Sequence, residues 1–141
     1  MRIEEYASLD GRALASLMGS RQVSFAEVTE AALAACDAIN PVLNAVIERY
    51  DDVHDEARLK DGPFRGVPYL TKDVGRHFRG RLAESGSLLC QGYVTPRDDY
   101  FAELVYASGV NLLGRSNVPE FSMALCADNL LHGTTSNPWK R

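Results

Sequence analysis

The sequence predicts an α/β fold, a β-sheet covered by α-helices. Stretches of helical periodicity alternate with short apolar runs, the pattern of a sheet with helices packed on its faces. Two of those runs, residues 67–70 and 110–113, are flanked by glycine or proline, as buried strands are. Ser24-Phe25-Ala26-Glu27 has the form of a capping box, in which serine and glutamate satisfy each other's free N–H groups at a helix start.

Taken in order, Ser8-Leu9-Asp10 start a short helix through Leu14, Leu17 and Met18, stopped by Gly19. Behind the capping box, Phe25, Val28, Ala32, Ala35 and Ile39 fall at helical spacing, and Asn40-Pro41 is expected to end that helix. Residues 42–47 read as a strand despite Asn44. Residues 50–60 read as a charged amphipathic helix with Val53, Ala57 and Leu59 inward and Gly62 closing it. The next apolar run is a strand whose pairing is expected to begin at Tyr69, since Pro68 has no N–H to give. It ends at Lys72, followed at once by Asp73. Residues 75–92 are polar and glycine-rich, a loop with one short helical turn. Asp98-Asp99 place negative charge at the start of a helix with Phe101, Leu104, Val105 and Ser108 on one face and Gly109 just past its end. Residues 110–114 follow as a strand. Asn117-Val118-Pro119-Glu120 then start a helix carrying Phe121, Met123 and Leu125. The tail, 129–139, is rich in turn residues. No repeat, linker or domain boundary interrupts the chain, which is expected to form part of a single domain over 1–141.

The 141 residues are one domain's worth of chain, or part of a larger one, and 45% hydrophobic with 24% charged is ordinary for a soluble globular protein. A net charge of −4 offers no footprint for nucleic acid or anionic lipid. No apolar run approaches membrane-spanning length, and Met1-Arg2-Ile3-Glu4-Glu5 is charged where a signal peptide would be apolar. Cys36, Cys90 and Cys126 are an odd number without C-x-x-C spacing, expected as buried free thiols in a reducing cytoplasm. His54 reads as a surface residue, and His77, between Arg76 and Arg79, has no partners for a metal site. No cofactor is implied.

Lys72 is the residue with the most chemistry to offer. Burial disfavours the ammonium form, which makes a lysine usable as a base. A lysine at a strand end is otherwise solvated, or salt-bridged to a neighbour such as Asp73. The residues alone leave both roles open.

Four blocks together resemble the amidase signature hydrolases. Residues 62–73 are similar to the family's G-P-L-x-G-V-P-x-x-x-K-D, and Ser85-Gly86-Ser87 to its T-x-G-S. Residues 109–121 are similar to A-G-A-x-x-x-G-K-T-N-x-x-E-F, and 129–139 to N-x-x-x-G-x-T-x-N-P-W. The resemblance implies the N-terminal portion of the amidase-signature fold, a mixed β-sheet covered by α-helices and incomplete in this chain. It also implies a lysine–serine–serine mechanism. One serine attacks the amide carbonyl, a second in a cis peptide relays its proton, and the lysine, matched here by Lys72, is the base. A pocket must desolvate that lysine for it to accept a proton. Met123 at helical spacing reads as core. The resemblance instead implies that Ser122 and Met123 line the pocket for a small-molecule amide.

The family's Gly/Ser-rich block, with both serines and the oxyanion hole, has no counterpart within 1–141, and Ser85 and Ser87 match an upstream block. The 141-residue chain alone is therefore expected to be inactive. Thr134, Thr135 and Ser136 are expected to make turn hydrogen bonds, Asn117 and Asn137 to tie loops to backbone groups, and His132 to pack. Asp73 is expected to accept backbone hydrogen bonds or to pair with Arg76 or Arg79. Arg115-Ser116, where the family often has lysine-threonine, is expected to lie outside the chemistry. Strands left short of neighbours are expected to favour self-association. The apolar Tyr69, Phe121, Met123 and Leu125 point to an aromatic or aliphatic acyl group. Two other readings stand beside the amidase: an inactive remnant or interaction module, and an A-type subunit of a glutamine-dependent amidotransferase.

Overall fold

The computed structural model describes residues 1–139. Helices α1 (Ile3–Ala7), α2 (Gly11–Gly19) and α3 (Phe25–Leu43) precede strand β1 (Val46–Arg49) and, further on, β2 (Pro68–Lys72). Helix α4 (Tyr100–Ala107) leads into β3 (Asn111–Ser116), and β4 (Asp128–Asn129) with β5 (Gly133–Thr134) closes the order. The three longer strands form one sheet in the order β1-β3-β2, and β4 pairs with β5 as a small hairpin. The structure is thus mixed α/β, as expected.

By internal contacts the residues group into two compact units, each discontinuous in sequence. The first comprises Met1–Ile39, Tyr50–Tyr69 and Leu104–Leu113. Leu14, Val28 and Val67 form its buried cluster, with Met18, Val23 and Phe64 among the side chains packed against it. Asp10 caps α2 by accepting the Ala13 N–H at 2.8 Å. The capping box forms as the sequence predicts: the Ser24 N–H and hydroxyl donate to Glu27 Oε2, each at 2.8 Å, and the Glu27 N–H returns to Ser24 Oγ at 3.2 Å. Those bonds hold the Glu27 carboxyl below its ordinary value.

Residues 50–60 do not form the expected helix. The Tyr50 N–H donates to the Leu113 carbonyl, and the Val53 carbonyl accepts from the side chain of buried Asn111, so the backbone is committed elsewhere. Only a single 3₁₀ turn, Glu56–Arg58, remains, capped by Asp55. Val53 is nonetheless buried, as its spacing suggested.

The second unit comprises Asn40–Arg49, Leu70–Glu103 and the residues from Gly114 onward. Here α3 continues past Asn40-Pro41 to Leu43. Pro41 lies inside the helix, in its last turn, and the helix runs past it by two residues. The actual stop is Asn44, at φ 51°, and the Asn40 side chain accepts the Ala45 and Val46 N–H groups that follow. The strand expected at 42–47 is displaced to Val46–Arg49 accordingly. It pairs antiparallel with β3, in the register Val46↔Ser116, Glu48↔Arg115 and Arg49↔Gly114, with a bulge between Val46 and Glu48.

Strand β3 runs from Asn111 to Ser116, two residues beyond the expected end at Gly114. Gly114 allows this, because a Cβ there would meet the Glu48 carbonyl. Strand β2 starts at Pro68, one residue earlier than its missing N–H suggested. The expected helix after Asn117 is also absent. The Phe121 N–H donates to the Ser85 carbonyl at 2.8 Å, and Phe121 and Ser122 take φ of 49° and 58°, so only the 3₁₀ turn Glu120–Ser122 forms. The loop after β2 holds the expected short helical turn, at Leu88–Cys90. Of the three cysteines, Cys36 and Cys90 are half-buried and Cys126 is exposed, so the expected burial does not hold. Among the described residues no helix is long and apolar enough to cross a membrane.

Candidate active site

Lys72 is the last residue of β2, where the sequence places it, and it is exposed. The described residues therefore do not supply the desolvated pocket that a lysine base requires. Strand alternation sends its neighbours the other way: Thr71 and Asp73 are 3% and 2% exposed. Directly after Lys72 the chain turns sharply, with the Val74 N–H on the Lys72 carbonyl at 2.8 Å.

Asp73 anchors this turn. Its Oδ1 accepts the Glu84 N–H at 2.9 Å and an Arg115 Nη1 hydrogen at 2.7 Å, while Oδ2 accepts the Gly86 N–H at 3.0 Å. Its own N–H donates to the Ser116 carbonyl at 3.2 Å. The expected backbone bonds are therefore present. The ion pair is with Arg115, however, and not with Arg76 or Arg79. Arg76 instead lies over the Phe101 ring at 4.0 Å, and the Arg79 N–H donates to Asp98.

Arg115 is the centre of the site. Its guanidinium donates to Asp73, to Glu84 Oε2 at 2.7 Å and, through Nε, to Glu48 Oε2 at 2.8 Å. The planar fork, with its several N–H donors, meets carboxylates from three segments at once. Burial alone pushes the Glu84 carboxyl up, but the Gly92 N–H, the Arg115 guanidinium and His132 outweigh it and hold that carboxyl below its ordinary range. Burial likewise opposes the charge on Arg115, and Asp73 and Glu84 more than offset it, so its affinity for the proton is raised.

His132 does more than pack. Its Nε2 lies 3.4 Å from Glu84 Oε2 and 3.9 Å from Asp73 Oδ2. Asp73, Glu84 and His132 could each offer a ligand atom within 4.8 Å of one another. Both carboxylates already accept from the guanidinium, however, so this donor set is matched to an arginine. His54 and His77 are exposed, as expected of His54.

The loop held by Asp73 reaches the other expected residues. Ser85 and Gly86 lie at φ 54° and 62°, and a Cβ on Gly86 would come within 2.9 Å of the Val118 carbonyl. Ser87 donates to Glu120 Oε1 at 2.6 Å, and the Ser85 carbonyl holds Phe121. Ser122 closes this turn and Met123 follows it, both exposed, Met123 at 86%, so Met123 is not core. Among the described residues no hydrogen bond or ion pair joins the Lys72 side chain to Ser122 or Met123; the link runs through Asp73 and the 84–87 loop. Asn117 ties loops as expected, donating to Gly133 and Thr135 and accepting from Asn129. Thr134 and Thr135 make hydrogen bonds to Asp128 and to the Asn44 carbonyl.

The profile of the family Amidase matches residues 27–141. The chain belongs to the amidase family. It is 37% identical over 133 residues to a 6-aminohexanoate-cyclic-dimer hydrolase of Paenarthrobacter ureafaciens, covering 92% of this chain and 27% of that one. A glutamyl-tRNA(Gln) amidotransferase subunit of the A type, from Acidothermus cellulolyticus, is 32% identical over 136 residues, with 89% and 27% covered. The solved structure of 6-aminohexanoate cyclic dimer hydrolase superimposes with a TM-score of 0.87 at 36% identity, over 93% of this chain and 28% of that one. The chain thus spans about a quarter of the length of these relatives.

Sequence reasoning missed Arg115, Glu84, Glu48 and His132 as parts of one cluster. One signal was present: a single charged side chain, Arg115, inside the run 110–116, which is buried from Asn111 to Arg115. A buried arginine requires carboxylates around it.

Proposed function

We propose that residues 1–141 are the N-terminal part of a single amidase domain that hydrolyses a carboxamide C–N bond through an acyl-enzyme, with Lys72 as general base. The two serines of the mechanism belong to the Gly/Ser-rich block that follows the N-P-W motif in the family. The observation that carries this reading is the placement of Lys72 at the end of β2, with the next residue anchored by four hydrogen bonds. A base acts over a short reach, so a lysine whose backbone is held on both sides starts with its direction defined. The rest of the domain would supply the covering that residues 1–139 leave open.

Ser122 and Met123 form one side of the substrate pocket in this reading. Phe121, Met123 and Leu125 are 44%, 86% and 105% exposed, apolar surface suited to an aliphatic or aromatic acyl group. The likeness to a cyclic-dimer hydrolase supports a small aliphatic amide as substrate. A second reading, the A-type amidotransferase component, is favoured by the 32% identity to such a protein.

Turnover of a panel of aliphatic and aryl amides by the full-length protein, alone and with glutamine as amide donor, separates the two. Hydrolysis of small amides with no response to glutamine supports the hydrolase. Glutaminase activity alone supports the amidotransferase. If the full-length product turns over neither, the inactive module is supported.

A further inference from the structure

We infer that Arg115 is a positioning residue for Lys72 and acts through Asp73, an inference that rests on Lys72 being the base. Glu48 lies on β1, Asp73 follows β2, Glu84 lies on the loop beyond it, and Arg115 on β3 donates to all three at 2.7–2.8 Å. The arginine side chain is 3% exposed and that of Asp73 0%. Neither can relax into water, so each holds the other's geometry.

The turn from Lys72 to Val74 has Asp73 as its middle residue, and Asp73 is tied to β3 twice, by backbone to Ser116 and by side chain to Arg115. Rotation of the Asp73 side chain would also release the Glu84 and Gly86 N–H groups it accepts. The direction in which β2 delivers Lys72 is therefore set by a residue that is remote in sequence and has no role in proton transfer. A methionine at position 115 would keep an unbranched side chain and remove every donor to the three carboxylates on their different elements.

Arg115→Met in the full-length protein tests this, with kcat and KM for an amide substrate measured beside thermal melting. Trace acetylation of Lys72, read by mass spectrometry against exposed Lys60, reports the amine itself. In a cooperatively melting variant, kcat should fall about a hundredfold with KM within about twofold, the scale on which misplacement of a catalytic group is felt. The Lys72-to-Lys60 labelling ratio should move about threefold or more, as access to a displaced amine changes. Wild-type kcat and labelling ratio in a folded variant would overturn the inference. If Lys72→Ala retains turnover, the base reading has failed, and the labelling ratio alone decides whether Arg115 positions Lys72. Should Arg115→Met not fold, Asp73→Asn keeps the side chain's size and one acceptor oxygen and carries the same readouts.

Discussion

Arg115 Nη1 lies 2.7 Å from Asp73 Oδ1, with the aspartate side chain wholly buried. Removing one partner of such a pair leaves the other as an uncompensated buried charge. Arg115→Met should therefore cost about 3–5 kcal/mol in urea unfolding, the range for breaking a buried ion pair. A loss under about 1 kcal/mol, the level of a surface pair, would show that the cluster is not a structural centre.

The same cluster sets an acid limit. The folded Glu84 carboxyl is held below its ordinary value of 4.5, so its protonation favours the unfolded state. Its contribution is fully present above that value and is lost as the pH falls through the lower folded one. The urea midpoint should be insensitive to Glu84 near neutrality and fall in the acid range, and Glu84→Gln should flatten that fall. An unchanged acid slope in Glu84→Gln would remove Glu84 from this role.

Gly114 sets the spacing of β1 and β3. An alanine Cβ would meet the Glu48 backbone, and the carboxylate of the same residue holds Arg115. Gly114→Ala should destabilise by about 1–3 kcal/mol, as overpacking does, and shift the amide resonances of Val46, Glu48 and Arg115. Wild-type stability and spectra would contradict the close approach.

Much of this was legible in the residues. The capping box, α2, α4, strands β2 and β3 and the position of Lys72 rest on local signals, which the structure keeps. The two lost helices share one cause: a backbone or side-chain group was claimed by a partner distant in sequence. Residues 50–60 lost their helix to bonds with Leu113 and Asn111, and 117–125 lost theirs to the Ser85 carbonyl. Val42 and Leu43 stayed in α3 because Asn44, not Pro41, ends it. The Arg115 cluster draws on β1, β3 and two loops at once, a convergence that no spacing along the chain encodes.

Lys72 as the base of an amidase is the proposal on which the chemistry turns. It is tested most directly by the acylation rate of the full-length protein on an amide substrate, wild type against Lys72→Ala and Lys72→Arg. Both variants leave the buried Asp73 anchor in place, and in variants that melt cooperatively both should lose about 10²–10⁴-fold, the usual contribution of a general base. Arginine restores the charge but stays protonated and cannot accept the serine's proton. A Lys72→Arg variant that acylates at the wild-type rate would contradict the claim.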